Sequence, residues 1–187
     1  MDEAYRKVSY VVRPENEKDR YCFEDFVSTN VSATCSVMFR RDCFPGFPDW
    51  FFRHIAGDWS VNLLNLTSGP YGYLREPMSA YRIHAGGVWT SMSQFARLSS
   101  EATFYGVLIE NFDTRFHPKL KAARLQRLFW ASKSACEAGD RAVSKEYFRK
   151  TLARIHENRS VPLWHLVHHF LNLFCPQILE AVRKVRK

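Results

Sequence analysis

Gly57-Asp58-Trp59-Ser60-Val61-Asn62-Leu63-Leu64-Asn65-Leu66, followed after Gly69 and Glu76 by Tyr81-Arg82-Ile83-His84-Ala85-Gly86-Gly87-Val88-Trp89-Thr90, is the part of this chain on which its reading turns. Trp59, Leu63 and Leu66 recur at i, i+4 and i+7, which lays them on one face of a helix that Gly69 is placed to end. Asp58 stands at the start of that helix. Tyr71 to Arg75 and Met78 to His84 are spaced as two strands on either side of Glu76-Pro77. In the second, period-two alternation sends Tyr81 and Ile83 to one face and Arg82 and His84 to the other. Gly86-Gly87 then allows the backbone a close approach that a side chain would block. A carboxylate at a helix start, with an Arg and a His delivered to a glycine loop, is a set of groups for an anionic ligand, with or without a metal.

Outward from this stretch, the N-terminal side is less regular. Residues 1–20 are mostly polar around Pro14, with a brief β-like run at Val8 to Val12. Phe23 to Val27 reads as a short amphipathic turn, and Ser32 to Phe39 mixes Thr34, Cys35, Val37 and Phe39 as a buried strand does. Arg40 to Phe52 is broken by Pro45, Gly46 and Pro48, so Phe44, Phe47, Trp50, Phe51 and Phe52 are expected to plug a loop into the core or line a cleft.

The C-terminal side is helical. Phe95, Leu98, Ala102, Tyr105 and Ile109 keep helical spacing up to a break at His117-Pro118. Leu125, Leu128, Phe129, Ser132 and Cys136 mark the next helix, Gly139-Asp140 a turn, and Phe148, Leu152 and Ile155 a further helix. This pair with its Glu137-Ala138-Gly139-Asp140 turn resembles a single tetratricopeptide hairpin, a unit that ordinarily shares its core with neighbouring repeats. Ser160 before Pro162 is spaced as a helix cap with proline in the first turn, and Leu163 to Phe174 follows, apolar nearly all round except for His165, His168 and His169. Those histidines have metal-ligand spacing, but no carboxylate or cysteine joins them in register, so a half-buried or membrane-facing helix is the expectation. After Pro176, Ile178, Leu179, Val182 and Val185 alternate with Arg183, Lys184, Arg186 and Lys187.

With 187 residues, 46% of them hydrophobic, the chain is long enough to bury a core of its own. A net charge of +8 and a pI near 9.4 favour phosphate-bearing ligands, anionic membrane surfaces or nucleic acid. Nucleic acid ranks last, because the aromatics do not interleave with basic residues as in an RNA-binding sheet. Five widely spaced cysteines without a CxxC pair indicate neither a disulfide framework nor a zinc knuckle and fit a reducing compartment. No signal peptide opens the chain and no apolar run reaches the roughly 20 residues a spanning helix needs, so the expected location is cytoplasmic.

In order and spacing, Asn30-Val31-Ser32-Ala33-Thr34-Cys35-Ser36-Val37-Met38-Phe39-Arg40, Pro48-Asp49-Trp50, Gly57-Asp58-Trp59, Gly69, Tyr73-Leu74-Arg75-Glu76 and Met78 to Gly87 resemble the acceptor-side, C-terminal half of a GT-A fold family 2 glycosyltransferase. The similarity covers roughly residues 20–115. It implies an α+β fold: an incomplete GT-A-like mixed sheet with flanking helices over 1–115, then a helical tail over 116–187 with the tetratricopeptide-like hairpin and a basic terminal helix. It implies transfer of a sugar from a nucleotide-sugar donor to an acceptor hydroxyl with inversion, of the kind used in cell-surface polysaccharide biosynthesis.

By position in the family motif, Asp58 is the catalytic base. Its local spacing equally makes it a helix cap, and one oxygen could serve each role. The resemblance also implies His84 on a divalent cation, Mn or Mg, and Arg82, Gly86, Gly87, Trp59 and Trp89 around the donor and acceptor. The DxD-type carboxylates that would hold most of that cation, and the nucleotide-binding strands, do not occur in this chain. The chain is therefore expected to be a fragment inactive alone. The alternative is a non-catalytic interaction or membrane-docking module derived from such an enzyme. Expected partners are a nucleotide sugar, a glycan or lipid-linked acceptor, further copies of the chain as a homo-oligomer, and an anionic membrane surface met by 176–187, which would place the protein peripherally at the inner face of the membrane.

Overall fold

The computed structural model describes residues 18–43, 46–53, 56–76, 78–80 and 86–177. Val8 to Val12, the strand residues Tyr81 to His84 and the basic segment 178–187 lie outside them. The described residues are mostly helical, with a two-stranded antiparallel sheet, so the class is α+β. They divide into two compact units, one drawn from Met1–Gly46 and Asp58–Tyr81, the other from Phe47–Gly57 and Arg82–Lys187.

The first unit is built on helix α2, Gly57–Leu66. Its apolar stripe lies where the spacing puts it: Trp59, Leu63 and Leu66 are all buried. Burying side chains of this size contributes about 1.5–3 kcal/mol each. Helix α1, Phe23–Val27, turns Phe23, Phe26 and Val27 inward, and its start is held by Asp25, whose Oδ2 accepts the Cys22 N–H at 2.9 Å. The Lys18 ammonium pairs with the other oxygen of Asp25. Strands β1, Arg20–Tyr21, and β2, Tyr71–Gly72, pair in the register Arg20↔Gly72 and Tyr21↔Tyr71. The Tyr73 N–H adds a bond to the Asp19 carbonyl at 3.1 Å. The Tyr71 ring meets Phe26 edge-on, centroids 5.5 Å apart, which locks the small sheet onto α1.

Trp59 joins the two helices of this unit, because its indole N–H donates to the Phe26 carbonyl at 2.7 Å in a buried setting. Trp59→Phe keeps most of the ring and removes that donor. It is expected to destabilise this unit by about 1–3 kcal/mol, read as a lower denaturant midpoint.

Two strand readings are corrected. Residues 32–39 do not form a buried strand: Thr34–Ser36 is a 3-10 turn, and Met38 and Phe39 are exposed. Both the Ser36 N–H and its hydroxyl bond back to the Ala33 carbonyl, at 2.9 and 2.8 Å, and such local bonds compete with a ladder. After Gly72 the chain leaves the sheet, with Leu74 and Met78 exposed, so among the described residues the expected mixed sheet is reduced to β1 and β2. Among the described residues of 40–52, Trp50 becomes core within the 3-10 turn Asp49–Arg53, while Phe47 and Phe52 are exposed; Phe44 lies outside the described residues.

The second unit is a helical stack. Helix α3 is the short Val88–Ser91, and α4 runs Gln94–Asn111 with Ser93 Oγ accepting the Ala96 N–H at 3.1 Å. Helix α5, His117–Glu137, begins at the expected break, with proline in its first turn where no intrahelical N–H is needed. Gly106 of α4 lies under the Arg124 guanidinium of α5, where a Cβ would come within 3.0 Å of Nη2. Glu101 of α4 pairs with Arg127 of α5.

Gly139 turns the chain at φ +86°, a left-handed conformation that favours glycine, and Asp140 Oδ1 accepts the Val143 N–H at 3.0 Å to start α6, Arg141–Leu152. Helix α7 is Leu163–Phe174. Its cap is not Ser160, whose hydroxyl instead donates to the Ala122 carbonyl of α5 at 3.0 Å. Leu125, Phe129, Phe148, Val161, Leu166 and Leu173 form the core that α5, α6 and α7 share.

Candidate functional site

Asp58 lies in the first turn of α2 and is half-buried. Its Oδ1 accepts the Trp59 backbone N–H at 2.8 Å, as a carboxylate at a helix start does. Its Oδ2 accepts from Asn30 Nδ2 at 3.1 Å and from the Thr34 hydroxyl at 2.8 Å. A carboxylate offers about four lone-pair positions, so three acceptances leave room for one further donor.

Behind Asp58 runs a polar chain that the helix spacing alone does not show. Asn62, one turn along α2 and fully buried, donates from Nδ2 to Asn30 Oδ1 at 3.0 Å and to Ser32 Oγ at 3.3 Å. The Tyr71 hydroxyl donates toward the Asn62 carbonyl at 3.3 Å. Asn30 is thus held by both its amide groups, one on Asn62 and one on Asp58, and the carboxylate direction is set by side chains of 30–34. Thr34, the partner nearest solvent, is exposed, so the network opens to water at that end.

Trp59, expected beside the substrate, is instead core: it is 4% exposed and committed to the Phe26 carbonyl. Gly87 is the residue before α3 with φ −70° and ψ 141°, an extended conformation open to any residue, and its carbonyl accepts the Thr90 hydroxyl at 3.1 Å. Gly86 is exposed, and Trp89 is half-buried within α3. Asp58 belongs to the first unit, and Gly86, Gly87 and Trp89 to the second. Arg82 and His84 lie outside the described residues. Asn30, Thr34 and Asn62 carried no assigned role in the sequence reading. The available signal was that Asp58 and Asn62 are i, i+4 on one face of α2 beside the apolar stripe.

Among the described residues no group of three or more His, Cys, Asp or Glu side chains gathers as a metal site. The three histidines of α7 separate by face. His169 is buried, with Nε2 2.8 Å from Ser132 Oγ. His165 stacks on Trp164 at 3.5 Å between centroids, and His168 is exposed. No helix among the described residues is long and apolar enough to cross a membrane. No family model, no curated protein and no solved structure matches the chain.

Proposed function

We propose that residues up to about 115 are the acceptor-side portion of an inverting, family 2-like glycosyltransferase that takes its sugar from a nucleotide donor, with Asp58 as its base. The supporting observation is the carboxylate itself: half-buried, aimed by Asn30 and Thr34, with acceptor capacity left for one alcohol O–H. A sugar hydroxyl donates to Asp58, gives up its proton as its oxygen attacks the anomeric carbon, and the bond from that carbon to the nucleoside diphosphate breaks on the opposite face. A single displacement of this kind inverts the anomeric centre. Asn30 and Thr34 keep the carboxylate in line through the proton transfer.

Arg82 and His84, with Gly86, Gly87 and Trp89, are assigned to the donor diphosphate and the sugar on the family resemblance. On the same resemblance His84 would help hold a divalent ion, which would neutralise charge on the leaving diphosphate. The complete enzyme would work on the cytoplasmic side, on a glycan or lipid-linked acceptor, in surface polysaccharide synthesis.

The test is the chain joined to a donor domain bearing a DxD motif, assayed for nucleoside diphosphate release and glycoside formation with and without manganese. Transfer that depends on the joined domain and on Asp58 supports the reading. Transfer unchanged in Asp58→Asn removes Asp58 as the base.

A further inference from the structure

Helix α7 buries one face and, among the described residues, leaves the other exposed. Leu166, His169 and Leu173 point into the core of the second unit, whereas Leu163, Trp164, Val167, Phe170 and Phe174 are between 38% and 72% exposed. These five recur at i, i+1, i+4, i+7 and i+11, a continuous stripe along all 12 residues of the helix. Phe170 and Phe174 stack on each other at 5.0 Å between centroids, so the stripe presents a broad aromatic surface at its C-terminal end. Five large apolar side chains exposed along one face of one element make a contact surface rather than ordinary scatter of apolar residues.

The groups around the stripe select what covers it. No Asp, Glu, Lys or Arg lies in α7 itself. Its rim is cationic. The Lys145 ammonium sits 5.1 Å over the Phe174 ring at one end. At the other end the Lys133 ammonium sits 4.9 Å over Trp130, which neighbours His165 and through it Trp164. Arg141 of α6 is exposed and donates to the Asn172 carbonyl of α7 at 2.6 Å. The Glu137 carboxylate lies 3.8 Å from Lys133. The sequence that follows carries Arg183, Lys184, Arg186 and Lys187 against Glu180, and the whole chain has a net charge of +8.

Tryptophan, phenylalanine and leucine on one side with a belt of cations is the composition that lies in the plane of a bilayer, apolar side chains among the acyl chains and ammonium groups at the phosphates. A helix of this length rises about 18 Å, too short to cross a hydrocarbon core of about 30 Å but long enough to lie along its surface.

We propose that α7 docks the protein on an anionic lipid surface, with Leu163, Trp164, Val167, Phe170 and Phe174 inserted and Lys133, Arg141 and Lys145 at the headgroups. The proposal extends the expected contact of 176–187 to a formed helix and does not depend on the sugar-transfer reading.

Vesicle flotation of the full chain tests it, comparing phosphatidylcholine alone with an equal mixture of phosphatidylcholine and phosphatidylglycerol. Each cation near an anionic surface multiplies partitioning by roughly fivefold, so binding to the mixed vesicles is expected to be at least about tenfold stronger and to weaken in high salt. Leu163→Glu/Val167→Glu, at two exposed positions, is expected to abolish flotation with the far-ultraviolet circular dichroism unchanged. Arg141→Gln/Lys145→Gln is expected to remove most of the preference for the mixed vesicles. Equal binding to both vesicles, no binding to either, or flotation of the Leu163→Glu/Val167→Glu variant at the original level overturns the proposal. So does self-association in solution, without lipid binding, that the same variant blocks, since a second copy would then be what covers α7.

Discussion

In a chain supplied with its donor half, Asp58→Asn is expected to lower sugar transfer by about 10²–10⁴-fold, the range over which a positioned base accelerates proton transfer. The substitution keeps the shape of the side chain and removes its basicity. Both carboxylate oxygens now accept: one from Trp59 N–H, the other from Asn30 and Thr34. An amide can accept at only one of the two positions, so a hydrogen bond is lost whichever way it turns, at a cost of about 0.5–1.5 kcal/mol. The fold should survive that loss, and a denaturation midpoint close to the original identifies the lost activity as chemical. The loss is expected in kcat with KM little changed, since a base acts on the transition state more than on the bound alcohol. Thr34→Val provides a graded comparison: it leaves the carboxylate in place with one tether fewer and is expected to reduce transfer far less than Asp58→Asn.

Acid is expected to destabilise the second unit by about 3 kcal/mol between neutral pH and pH 4 through His169 alone. Burial first, and then the Lys133 ammonium and the nearby His168, push its pKa down from 6.5 to about 4. The surroundings explain the direction. The ring lies between Phe129 and Phe148, at centroid distances of 5.6 and 5.3 Å, and its polar contact is the Ser132 hydroxyl. Because the Ser132 hydroxyl donates to the Ser144 carbonyl at 2.7 Å, His169 Nε2 is the donor to Ser132, and the native ring is neutral with its proton on that nitrogen.

The sign follows. Above pH 6.5 the ring is neutral folded and unfolded, and the full stability is present. Below 6.5 the unfolded chain takes up a proton that the folded one refuses, and stability falls by about 1.4 kcal/mol per pH unit until the folded pKa near 4 is reached. Urea midpoints measured from pH 7 to pH 4 check this. His169→Gln, which keeps a donor for Ser132, is expected to flatten that limb of the profile, and a profile unchanged by the substitution would assign the acid sensitivity to other groups.

Much of the fold was legible because it is written in local spacing. The stripe Trp59, Leu63, Leu66 named the buried face of α2, and the spacing from Phe95 to Ile109 located α4. His117-Pro118 marked the start of α5, Gly139-Asp140 the turn before α6, and Leu163 and Phe174 the two ends of α7. Less of the site was legible. Asp58 was marked as a helix-start carboxylate, and both its oxygens do lie among hydrogen-bond donors, but Asn30 and Thr34 could not be singled out as the residues that aim it. The family resemblance placed Trp59 beside the substrate, whereas its own period put it on the apolar face, and that is where the indole N–H meets the Phe26 carbonyl. The run 32–39 has strand composition, yet Thr34 and Ser36 spend their hydroxyls on Asp58 and Ala33 and the chain turns instead.

Residue order alone therefore determined where the long helices lie, where they break and which of their faces are apolar, because helical hydrogen bonds and caps join residues three or four apart and the period of the apolar residues reports them directly. Only the tertiary structure decided that Asp58 is aimed by side chains 28 and 24 positions away, that Ser132 meets His169 across 37, and that the stripe from Leu163 to Phe174 is exposed among the described residues. Those outcomes depend on which faces meet when whole elements pack. The burial of many side chains at once settles that choice, and no local spacing encodes it.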